Sequence, residues 1–143
     1  MSPLRVLRWK TRGGDPGWMF PPLPDPMLAL LGVLVGGVWA VEDEQAERTH
    51  PHPPGTPVCV HRYRWRLLQD GQDVGFVEGE LEESGLNMPW STYTILRVEA
   101  QLAEGRVLRA RNVRRGVMAL AAYGFTDEAL RAAAAAVGLE LEA

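Results

Sequence analysis

The 143-residue sequence has one cysteine, one lysine and no apolar run of the ~20 residues that a transmembrane helix needs. Cys59 has no second cysteine to pair with in this chain, which excludes an internal disulfide framework. The 15 basic residues are set against 18 acidic ones, for a formal net charge of −3. This balance excludes both a strongly basic nucleic-acid tail and an acidic low-complexity arm. Full disorder is excluded as well, because 46% of the residues are hydrophobic, enough for a real core. No repeat of a few tens of residues recurs, so solenoids and propellers are out.

Catalytic signatures are also missing. The sequence contains no GxGxxG, GxxxxGK[ST] or HExxH. Ser84 and Ser91 have no evident His–carboxylate partners, and the three histidines crowd into one Pro-rich segment. We therefore assign no catalytic residue and no cofactor, and catalysis is the less favoured class.

Proline and glycine cluster in the first part, up to about residue 57. The clusters are Arg12-Gly13-Gly14-Asp15-Pro16-Gly17, Pro21-Pro22-Leu23-Pro24-Asp25-Pro26 and Pro51-His52-Pro53-Pro54-Gly55. They read as turns and spacers, which divides the chain into an irregular N-terminal arm (1–57) and an α+β domain (58–143). A short strand is expected at Leu4 to Lys10. Met27 to Val41 carries no charge, yet its 15 residues fall short of the ~20 that a transmembrane helix needs. The preferred reading is a buried element: Asp25 as N-cap, Pro26 opening a helix, Gly36-Gly37 breaking it and Val38 to Val41 forming a strand. On this reading the chain is cytoplasmic. The alternative makes 27–41 a secretory signal or membrane anchor, and the chain an exported or tethered domain.

From Val58 onward hydrophobicity alternates with period two. Cys59, His61, Tyr63, Trp65 and Leu67 point one way, and Arg62, Arg64 and Arg66 the other. Asp70-Gly71 predicts a two-residue hairpin turn that sets Leu67 against Val74 and Trp65 against Phe76 on the core face. In a second hairpin, Thr92, Thr94, Leu96, Val98, Ala100 and Leu102 share the core face. Its three-residue loop at Ala103-Glu104-Gly105 pairs Ala100 with Leu108, Val98 with Ala110, Glu99 with Arg109, and Arg97 with Arg111. Val117 to Tyr123 reads as a short apolar helix ending at Gly124. Thr126 caps a second helix, followed by a short strand at Leu139 and Leu141. The expected fold is thus α+β: two consecutive antiparallel hairpins packed against short C-terminal helices.

Two groups of residues suggest chemistry. His50, His52, Cys59 and His61 are zinc-ligand types lying within twelve residues. Their spacing matches no usual finger or ribbon, so no bound metal is expected. Arg62, Arg64, Arg66, Arg97, Arg109 and Arg111 share the solvent face of the expected sheet. Fourteen of the fifteen basic residues are Arg, so part of this abundance reflects composition alone. No aromatic is expected among these guanidiniums, which leaves base-stacking platforms absent there. Trp9, Trp18 and Trp90 lie in Pro- or Gly-rich surroundings, where an aromatic can serve as an interface anchor. The sequence points first to a non-catalytic protein-interaction or assembly module. Its contacts are the six arginines and Trp90, with Arg64, Arg109 and Trp90 foremost, and its partner is another protein or a second copy. The runner-up binds nucleic acid or an anionic ligand through the same Arg face.

Overall fold

Three tight connections place most of the chain. Asp70 and Gly71 both have positive φ (49° and 83°), the geometry that a right-twisted hairpin demands of a two-residue turn. Gly105 (φ 105°) closes the next hairpin, with the Leu102 N–H donating to the Arg106 carbonyl at 2.9 Å. Gly36 and Gly37 (φ 84° and 89°) turn the chain from helix to strand. The computed structural model describes residues 4–7, 24–49, 58–84, 92–114 and 117–141.

The elements in chain order are β1 (Leu4–Leu7), α1 (Asp25–Val35), β2 (Trp39–Thr49), β3 (Val58–Gln69), β4 (Gln72–Ser84), β5 (Thr92–Leu102), β6 (Val107–Arg114), β7 (Val117–Tyr123), α2 (Asp127–Ala136) and β8 (Glu140–Leu141). They form one antiparallel sheet in the order β2-β3-β4-β5-β6-β7-β1-β8. The fold is α+β, and both hairpins of the second half are present. Residues on both sides of the compositional division near 57 share this sheet and its core.

The apolar segment 27–41 is a buried helix followed by a strand. Met27, Leu30 and Leu31, spaced i, i+3 and i+4, are fully buried against the sheet. Removing a side chain of that size from water stabilises by about 1.5–3 kcal/mol. Pro24 rather than Asp25 occupies the N-cap, so the helix begins one residue earlier than the sequence suggests, with no side-chain cap. α2 is capped as expected, the Thr126 hydroxyl accepting from the Ala129 N–H at 3.0 Å. Its buried face (Leu130, Ala133, Ala134) joins that of α1 in one core.

Three expectations are corrected. Val117–Tyr123 is a strand, β7, not a helix. It pairs with β6 on one side and β1 on the other, burying Met118, Leu120 and Ala122. Two ladders of hydrogen bonds outweigh the modest helix preference of alanine in so short a run. In β4, Val74 is an extra residue, for Leu67 faces Gly75 while Leu68 faces Asp73. Trp65 therefore opposes Val77, and Phe76 lies on the arginine side of the sheet opposite Arg66. In β5, Leu96 is likewise extra, so that Ile95 packs against the core instead. The β5–β6 register is as expected, with Val98 facing Ala110 and Ala100 facing Leu108.

Trp65, only 2% exposed, lies against Gly79, where an added Cβ would meet the indole at 2.9 Å. Gly79→Val should therefore lower stability by about 1–3 kcal/mol through overpacking. Urea unfolding monitored by circular dichroism checks this; an unchanged midpoint would mean that the ring is not seated there.

Candidate functional site: the charged outer face of the sheet

α1 and α2 both pack into the core on one face of the sheet, and the opposite face carries the arginines. Because strand side chains alternate, Arg62, Arg64 and Arg66 project away from Tyr63, Trp65 and Leu67. The β4 bulge then brings Glu80, Glu78 and Phe76 opposite Arg62, Arg64 and Arg66 in turn. β2 brings Glu47, Gln45 and Glu42 to the same three positions from the other side.

Carboxylates meet almost every guanidinium. Arg62 lies 3.5 Å from Glu80. Arg64 reaches Glu44 at 3.1 Å and Glu78 at 3.4 Å, and its guanidinium carbon sits 3.8 Å from the centre of the Phe76 ring. Arg66 lies 3.4 Å from Asp73 and 3.7 Å from Glu42. Arg97 bonds Glu80 at 2.8 Å and Glu99 at 3.3 Å, and approaches Glu78 at 3.7 Å. With Arg109, which lies 2.8 Å from Glu99, five arginines share six carboxylates: Glu42, Glu44, Asp73, Glu78, Glu80 and Glu99. Arg111 is exposed and makes no ion pair among the described residues.

Glu99 is the centre of this lattice. It is 7% exposed, the one buried charged residue among those described. Its Oε1 accepts from Arg109 Nη2 at 2.8 Å and Nε at 3.2 Å, while Oε2 accepts from Arg97 Nη1 at 3.3 Å. A buried carboxylate is costly unless its lone pairs are filled, and two guanidiniums fill them. The hydrogen bond that Arg109 donates to Glu99, and then the negative charge of Glu99, raise the Arg109 pKa above the ordinary arginine value. Arg97 and Arg111 do face each other across the β5–β6 ladder, as expected. The like-charge cost is met from the neighbouring strand, whose Glu78 and Glu80 hold Arg97.

All six predicted arginines therefore share one face, whereas Trp90, Trp9 and Trp18 lie outside the described residues. Sequence reasoning missed Phe76 on this face, and Gly75 just before it is the signal for the bulge that puts it there (φ 151°; an added Cβ would lie 2.0 Å from the Gln101 carbonyl oxygen). His50 and His52 also lie outside the described residues. Cys59 is buried and His61 Nε2 lies 2.8 Å from Glu83 Oε1, both on the core side. No cluster of three or more metal-ligand side chains occurs among the described residues. No helix among them is long and apolar enough to cross a membrane. Compared with protein-family models, curated proteins and solved structures, the chain matches none.

Glu99→Gln and Arg109→Met should each destabilise the protein, and the double variant should lose less than their sum. We expect a coupling of about 1–2 kcal/mol, discounted because both guanidiniums are about a third exposed. A double-mutant cycle by urea unfolding measures it, and strict additivity would show that the clamp contributes nothing.

Proposed function

We propose that this chain is a non-catalytic protein-interaction or assembly module, which docks a protein partner on the outer face of its sheet. The observation that carries this reading is the pairing of Arg62, Arg64, Arg66, Arg97 and Arg109 with six carboxylates. A phosphate backbone is attracted by uncompensated positive charge, which binding exchanges for released counterions. A lattice with more acids than bases offers little of that. It suits a protein surface with its own alternating charges, where complementarity fixes register and rejects wrong partners. The arginine–aromatic pair of Arg64 on Phe76 adds a residue combination common at interface hot spots. Arg109 and Trp90 complete the proposed contacts. Anionic-ligand binding is the second reading, favoured by Arg111 alone. A cytoplasmic location accompanies the proposal, supported by the use of α1 as core rather than as an apolar anchor.

Affinity purification of the tagged chain from its own cells, compared with Arg64→Ala and Arg111→Glu, tests the proposal. A stoichiometric protein should co-purify, and truncation of Arg64 at a hot spot should weaken its binding roughly thirty-fold. Retention indifferent to both substitutions would refute the assignment to this face. So would a DNA or RNA mobility shift that falls steeply with salt.

A further inference from the structure

At one end of the sheet lies a cavity of about 220 Å³, walled by Val35, Trp39, Val74 and Leu102 and rimmed by Gln69, Asp73, Glu104 and Arg106. Its walls are fixed by hydrogen bonds that leave the apolar surfaces bare. The Trp39 indole N–H and the Gln69 side-chain amide both donate to the Gly36 carbonyl, at 2.8 and 2.9 Å. The Ala103 N–H donates to the Val74 carbonyl at 2.8 Å, tying the two hairpins together beside it. All four apolar walls belong to the core or pack against it, so the cavity is an opening in the core rather than a surface wrinkle. Next to Trp39, Val38 is 72% exposed although its backbone is locked on both sides, by Val38 N–H to Asp70 Oδ1 (2.9 Å) and Asp70 N–H to the Val38 carbonyl (2.7 Å).

The size limits the occupant. Pockets for whole small-molecule ligands usually run to about 300–1,000 Å³, so this one accepts a single side chain or a fragment of that size. The charge at the mouth limits it further. The Asp73 and Glu104 side chains are 61% and 51% exposed, while Arg106 is paired with Glu104 and drawn over the Phe125 ring at 4.9 Å. Asp73 also lies 3.4 Å from Arg66, but the rim side chains themselves carry two negative charges against one positive, and both carboxylates keep half or more of their surface in water. The cavity also adjoins the outer face, since Asp73, Leu102 and Ala103 line both it and the groove beneath Arg64 and Arg66. We infer that this cavity is an anchor site for one large apolar side chain of a protein partner, followed in that partner by a lysine or arginine that meets Asp73 and Glu104. That the occupant is a protein rests on the interaction reading above; the affinity of the cavity for the side chain does not.

The test uses the full chain, labelled with ¹⁵N, and two probes: N-acetyl-Leu-Arg-amide and N-acetyl-Leu-Glu-amide. The Arg probe should give saturable shifts of the Trp39 indole and of the Val74 and Ala103 amides. The Glu probe should bind about two- to five-fold more weakly, as befits a partly exposed ion pair. Ala103→Phe, a change at an exposed loop position, should plug the cavity and abolish the shifts while the rest of the spectrum stays folded. Asp73→Asn should narrow the difference between the probes. Absence of saturable shifts, or shifts unaffected by Ala103→Phe in a folded protein, would overturn the inference. Either result leaves the Arg64 and Arg111 purification result standing on its own, so the two failures are distinguishable.

Discussion

A sheet covered by helices on one face only must make its other face compatible with water, and here that is done by pairing charges. α1 and α2 supply the inner cover, and Met27, Leu30, Leu31, Leu130 and Ala134 meet the apolar row of Trp65, Leu67, Val77 and Leu120. The outer positions of the central strands are then left to long polar side chains. Arginine is well suited to them, because its stem covers the sheet while its head stays hydrated or paired. Glu99 shows how far the pairing goes. Two guanidiniums close over it so completely that it is nearly removed from solvent, and one of them, Arg97, is in turn held by Glu80 and Glu78.

On the proposed reading, this arrangement sets what the surface can recognise. Charges that satisfy one another at 2.8–3.7 Å do not present a uniform potential, so long-range attraction of polyanions is weak. At short range the same pattern is rich in information, for each guanidinium fork and carboxylate has a fixed direction. The bulges at Glu44, Val74 and Leu96 matter here, since each changes which side chains stand side by side on the lattice.

Much of this was legible in the sequence where local chemistry leaves one choice. Asp70-Gly71 admits a single kind of turn. The loop at Gly105 sets the β5–β6 register, so that Glu99 opposite Arg109 could be read directly. The Gly36-Gly37 break and the Thr126 cap were legible for the same reason. What escaped were features decided by neighbours in space. Val117–Tyr123 has a composition that suits helix or strand, and only pairing with β1 and β6 decides between them. A regular ladder from Asp70-Gly71 would point Phe76 inward; the bulge at Val74 instead turns Phe76, Glu78 and Glu80 outward and Val77 and Leu81 inward, and leaves Trp65 buried. The apparent clash of Arg97 with Arg111 was visible, but its remedy on β4 was not, because it depends on the shifted register.

The account stands on guanidiniums that are already engaged by carboxylates in the free protein. Hydrogen exchange of the arginine Nε–Hε groups by NMR observes this directly, since Arg97 donates from Nε to Glu80 and Arg109 from Nε to Glu99. The two should exchange distinctly more slowly than exposed Arg111, and should stay protected in moderate salt. If all three exchanged alike at solvent-limited rates, the outer face would be a set of independent cations and the paired lattice would be contradicted.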